Sequence, residues 1–249
     1  MIDSMPLWLP VAFFLVALVY AAAGFGGGSA YLAVLAVSGL PYQTLPQTAL
    51  VCNVLVALGG VWFFHRGGHM ALGRVLPLFA LSIPVAYVGG RMEIGRGTFA
   101  ILLGVALLLA GILMLLPRPE ASARAMSRRK EWMLGLPLGA VLGLFSGLVG
   151  IGGGVFLAPL LLLLGWTTAK QTAAAASLFI LVNSVAGLTG QLIKGFHLGW
   201  WTIPLVLAAL AGGQIGSRMG SYWLSGTNVR RLLAAIIIVV GGRLLWKAI

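Results

Sequence analysis

The chain has 249 residues, 60% of them hydrophobic and only 8% charged, against about 25% charged in an ordinary soluble domain. Lys+Arg 16 and Asp+Glu 4, a net charge of +12, cannot cover a water-facing surface of this size, so the composition excludes a soluble globular domain and makes lipid the solvent. At roughly 20 residues per span the length holds about ten membrane segments and no separate soluble domain.

The first residues, Met1 to Pro6, lack the positive n-region of a cleavable signal, so the first apolar run is expected to stay in the membrane. Apolar runs cover 7–23, 28–40, 44–64, 71–90 and 98–116. A charged linker over 117–131 follows, and then runs at 132–149, 154–165, 171–193, 200–219 and 229–248. Proline, glycine or charge marks each break, as helix ends require. The runs 28–40 and 154–165 are too short to cross about 30 Å of hydrocarbon as helix, so they read as re-entrant or full spans of unusual form.

The two short runs occupy matching places, which points to a duplication. Gly24-Phe25-Gly26-Gly27-Gly28 matches Gly150-Ile151-Gly152-Gly153-Gly154, and Asn53 and Gly60 match Asn183 and Gly190. Arg66 and His69 match Lys194 and His197, Pro77 matches Pro204, and Arg91-Met92 matches Arg218-Met219. The expected fold is an all-α polytopic membrane protein of two repeats, 1–116 and 132–249, joined by a cytoplasmic linker over 117–131. Each half holds about five segments, an odd number, so the second enters the bilayer from the opposite side, as in many secondary transporters.

Counting Lys and Arg by side sets the orientation. The linker face carries Arg66, Arg74, Arg118, Arg124, Arg128, Arg129, Lys130, Lys170, Arg218, Arg230 and Arg231, against Arg91, Arg96, Lys194, Arg243 and Lys247 opposite. The excess places the linker in the cytoplasm and both termini outside, in a bacterial-type inner membrane. The same dispersed pattern makes the basic charge a matter of topology, with no nucleic-acid partner expected. A homodimer is compatible with a bundle of this size.

A Gly-x-Gly-Gly-Gly element after the first span, repeated near mid-chain, resembles the sulfite exporter TauE/SafE family of membrane permeases. The second copy is the fuller match, with Gly147, Gly150, Gly152, Gly153, Gly154, Pro159, Ser177 and Asn183. The first copy departs from it where Pro41 and Pro46 stand for Thr167 and Thr172. The resemblance covers about residues 10 to 248 and implies movement of sulfite, sulfonates or related organosulfur anions.

An anion crossing a bilayer exchanges its water for fixed donors. Backbone N–H groups at Gly26, Gly27, Gly28 and Ser29, and at Gly152, Gly153, Gly154 and Val155, offer such donors at the positive end of a helix dipole. The alternative is that these glycines only let helices pack closely. On the helices that follow, Gln47, Thr48, Cys52 and Asn53, and Ser177, Asn183 and Ser184, are the sparse intramembrane polar groups. They suit an oxyanion or, alternatively, interhelical hydrogen bonds. Arg91 with Arg218, and Arg66/His69 with Lys194/His197, either guide an anion or anchor helix ends.

The acids are Asp3, Glu93, Glu120 and Glu131, none of them mid-span, which argues against a carboxylate relay or cation site. No cofactor, metal site or catalytic set is expected. The leading reading is a secondary transporter of a small sulfur-containing anion by alternating access. Transport of another small organic anion, or sulfur handling through the single cysteine Cys52, are the alternatives.

Overall fold

A run of about 20 apolar residues satisfies its backbone in lipid only as a helix, and helices are the only regular elements among the described residues. The computed structural model describes residues 6–70, 72–116, 127–195, 197–222 and 227–248. In the first half α1 (Trp8–Ala22), α2 (Gly28–Val37), α3 (Thr44–Arg66), α4 (Leu72–Arg91) and α5 (Arg96–Leu115) follow one another. The second half has α6 (Arg128–Val149), α7 (Gly154–Leu163), α8 (Ala169–Ile193), α9 (Thr202–Tyr222) and α10 (Thr227–Ala248).

Every expected run contains one helix, in order. The boundary that moves is the linker. Residues 128–131 open α6, where the Lys130 and Glu131 N–H groups close the first turn on the Ser127 carbonyl. The basic stretch Arg128-Arg129-Lys130 consists of good helix formers, so it extends the helix. The rest of the linker, with Arg118 and Arg124, lies outside the described residues. At the start of α8 a full capping box forms between Thr168 and Gln171.

The chain is a polytopic membrane protein. Stretches of α3, α4, α5, α6 and α8 are long and apolar enough to cross a bilayer, and large apolar side chains such as Leu58, Trp62, Leu109, Val141 and Leu207 point outward. At 10 residues each, α2 and α7 reach roughly 15 Å, half a bilayer.

Since lipid tails give helices no hydrophobic reason to associate, packing depends on close backbone approach. On α6, Gly135, Gly139, Gly143 and Gly147 recur every four residues and meet Pro77, Leu78, Ser82 and Ala86 of α4 in the same order, so the two helices run parallel. On α9, Gly212, Gly216 and Gly220 meet the carbonyls of Phe14, Leu18 and Ala22 of α1, again in parallel. In the centre α3 and α8 run antiparallel, with Gly60 on Ser177 and Gly187 on Leu50. Gly104 and Gly111 likewise set α5 antiparallel to α10. Exchanging the first five helices for the last five turns the α4–α6 pair into α9–α1 and returns α3–α8 and α5–α10 to themselves.

Candidate functional site

The two glycine-rich segments lead into α2 and α7 and meet beside the α3–α8 pair. Each begins with a left-handed glycine, Gly24 (φ 80) and Gly150 (φ 90). Gly24 lies on Ala173 in the second turn of α8, and Gly150 lies on Pro46 in the first turn of α3. Two residues later, Gly26 and Gly152 both abut Asn53 and Ile180. Any Cβ at these points would occupy the space of the Asn53 carboxamide, which is why glycine is needed.

Gly27 (φ 93) and Gly153 (φ 74) then cap α2 and α7. The first bond of α2 runs from the Tyr31 N–H to the Gly27 carbonyl, so the N–H groups of Gly28, Ser29 and Ala30 have no intrahelical acceptor. In α7, Phe156 and Leu157 bond to Gly153, which leaves Gly154 and Val155 in the same position. Gly28 touches Asn53 and the Ile151 carbonyl, and Gly154 touches Ile180. Both half-helices therefore start at one centre, with their positive dipole ends there.

Asn53 is fully buried, and its Nδ2 donates to the Ile151 carbonyl at 3.3 Å. Its Oδ1 has no partner among the described residues, nor does the Oγ of Ser184, which faces Gly152. The other candidates are also buried but bond elsewhere. Ser29 Oγ donates to the Tyr20 hydroxyl at 3.4 Å and Thr48 Oγ1 to the Thr44 carbonyl at 2.9 Å. Ser177 Oγ lies 3.1 Å from the Gly24 carbonyl and 2.9 Å from that of Ala173. Asn183 Nδ2 donates to the Phe179 carbonyl of its own helix at 2.9 Å, and its buried Oδ1, like that of Asn53, has no partner among the described residues.

The pairing of Asn53 with Asn183 is off by nearly a turn. Equivalent contacts relate Pro46 to Ala173, Asn53 to Ile180 and Gly60 to Gly187, each 127 apart (173 − 46, 180 − 53, 187 − 60). The glycine breaks set this register by lying against the N-terminal ends of α3 and α8, so the centre holds a carboxamide from one half and an apolar side chain from the other.

A vestibule of about 430 Å³ opens above the second break. Its walls are Tyr42, Gln43, Pro46 and Gln47 at the start of α3, and Glu93, Ile94, Gly95 and Phe99 around the α4–α5 turn. Leu148, Gln191, Lys194 and His197 complete it. Pro46 and Leu148 flank Gly150, so the floor is the entrance to that break. Buried Gln47 clamps the two halves, its Nε2 donating to Gly195 at 2.8 Å and its Oε1 accepting from the His197 N–H at 2.9 Å. Lys194 Nζ donates to the Met92 carbonyl at 2.9 Å. Burial lowers the pKa of this lysine, and the Glu93 carboxylate opposes the shift.

Of the matched basic pairs, Lys194 and His197 line this vestibule. Arg66 instead covers Trp62 at 4.4 Å and Arg91 covers Tyr87 at 5.7 Å, contacts that suit anchoring. At the opposite end, Arg74 Nη1 donates to the Trp166 carbonyl at 3.1 Å and Thr167 bonds Thr172 at 2.8 Å. Sequence reasoning missed Tyr42, Phe99 and Gln191, and its one signal for Glu93 was the scarcity of acids.

The family model for "Sulfite exporter TauE/SafE" matches residues 9–244. The chain belongs to this family of membrane transporters. It is 37% identical to "Probable membrane transporter protein y4hK" of Sinorhizobium fredii, over 98% of this chain and all of that protein. It is 23% identical to "Probable membrane transporter protein YunE" of Bacillus subtilis, over 91% of this chain and 92% of that one. A shorter stretch, 41% of the chain, is 36% identical to part of "Probable membrane transporter protein MamO" of Paramagnetospirillum magneticum. No solved structure matches the chain.

Proposed function

We propose that this family member is a secondary transporter, and not an enzyme, for a small sulfur-containing anion such as sulfite or an organosulfonate. The observation that carries the reading is the meeting of two glycine breaks at Asn53, where α2 and α7 both begin. Backbone N–H groups at Gly28, Ser29, Gly154 and Val155 supply donors and the helix dipoles supply field, with no carboxylate needed. Asn53 and Ser184 orient the solute. Ser177 ties α8 to the first break through the Gly24 carbonyl, while Thr48 and Asn183 bond within their own helices.

The halves insert in opposite senses and rock about the α3–α8 pair, so that the centre opens to one face at a time. The antiparallel course of α3 and α8 supports this inversion. The linker is cytoplasmic and the vestibule opens on the face of the termini.

The test is flux of sulfite and sulfoacetate into proteoliposomes. Wild type is expected to move at least one of them saturably, while Gly26→Val and Gly152→Val are inactive. Unchanged flux in both variants rejects this centre. Absence of flux for every sulfur anion in the wild type rejects the substrate class.

A further inference from the structure

The vestibule beside the α4–α5 turn differs in chemistry from the centre below it. The centre is made of backbone amides and one carboxamide. The vestibule combines a partly buried lysine with two aromatic rings. Its volume of about 430 Å³ falls in the range of about 300–1,000 Å³ usual for pockets that hold small organic ligands, and an inorganic oxyanion would leave most of it unfilled.

We propose that this vestibule is a second binding site, for a small organic monoanion with a charged head and an apolar body. The head sits on Lys194. One donor of its ammonium is taken by the Met92 carbonyl and two remain. Gln47 holds Gly195 with one Nε2 hydrogen and accepts from the His197 N–H, which fixes its carboxamide in the wall with one N–H still to donate. The body lies along Tyr42 and Phe99, whose ring centres are 5.9 Å apart at 44°, with Pro46 and Leu148 beneath.

Glu93 sets the charge class. Its carboxylate acts on Lys194 through space and repels a dianion about twice as strongly as a monoanion. The site therefore favours a sulfonate or carboxylate monoanion over sulfate. Its place at the entrance to the second break makes it an antechamber, a role that rests on the transport reading, whereas binding itself does not.

Isothermal titration of the full-length protein in detergent tests it, with butanesulfonate, methanesulfonate and sulfate as probes. Butanesulfonate is expected to bind one site at least about tenfold more tightly than sulfate, the scale of burying about two methylene groups. Lys194→Met is expected to weaken it by about tenfold while Lys194→Arg stays within about threefold. Phe99→Ala is expected to remove the advantage of butanesulfonate over methanesulfonate, and Glu93→Gln to admit sulfate. Equal binding of sulfate and butanesulfonate by the wild type overturns the proposal. So does an unchanged isotherm in Lys194→Met or, should that variant not fold, in both Phe99→Ala and Glu93→Gln. Asn53→Ala, a truncation outside the vestibule lining, separates the two readings, since it is expected to lower flux and leave this isotherm intact. Butanesulfonate binding without flux of any sulfur anion in the wild type would sink the transport reading and leave this site standing.

Discussion

Asn53 joins the two glycine breaks through a single side chain. Its Nδ2 reaches the Ile151 carbonyl across the halves, while its Oδ1 is buried without a partner among the described residues. Truncation to alanine strands that carbonyl and is expected to cost about 1–3 kcal/mol of stability, together with at least a tenfold loss of flux in proteoliposomes. Asn183 bonds only to its own helix, and Asn183→Ala is expected to keep flux close to wild type. Equal loss in both would place Asn183 back in the centre.

Lys194 gives a pH signature. Its pKa in the protein lies below the ordinary 10.5 because burial disfavours the ammonium, with Glu93 opposing. The protonated lysine therefore costs stability, a cost present at neutral pH that disappears as pH rises toward the ordinary value. Attraction for an anion goes the other way and fades as pH passes the lowered pKa. Affinity for butanesulfonate is expected to fall on raising pH toward 10.5, earlier than a free lysine would dictate, and to stay flat in Lys194→Met. Tyr42, Glu93 and His197 are the other titratable groups of the vestibule, so the part of the fall that Lys194→Met abolishes is the part assigned to Lys194.

At the scale of elements, glycine has two separate uses. In the breaks it provides left-handed turns and space for Asn53. On α6 and α9 it lets α4 and α1 approach to backbone contact, where a larger side chain has no room. Gly139→Leu is expected to destabilise the protein by about 1–3 kcal/mol, read as a lower melting temperature in detergent. Gly73, also helical, has nothing near the position of a Cβ, and Gly73→Ala is expected to be neutral or stabilising by up to about 1 kcal/mol. The same stripes explain a gap in the sequence reading. Spacing by four was visible on α6, but nothing in the sequence said that α4 would be the partner.

At the scale of the molecule, the proposed insertion predicts opposite accessibility for the two ends of the bundle. In a Cys52→Ala background, a cysteine at Gly95 is expected to react with an impermeant thiol reagent from outside intact cells. One at Ser127 is expected to react only after the membrane is opened. The reverse pattern would invert the orientation. The buried thiol of Cys52 is expected to be dispensable, so that Cys52→Ala retains flux.

The sequence by itself determined the solvent, the number and order of helices, the two glycine breaks and the family. Each depends on composition or on spacing along the chain, and the bilayer admits few other solutions for apolar runs of this length. The glycine breaks were legible because a five-residue pattern recurs intact. The register between the halves was decided only in the folded protein. Gly24 and Gly150 lie on Ala173 and Pro46, and that contact makes Ile180 the counterpart of Asn53. The vestibule was equally beyond reach, because Tyr42, Phe99 and the Gln191–Lys194 helix end come from three separate stretches of chain. Nothing in their local spacing records that antiparallel α3 and α8 bring them to one mouth.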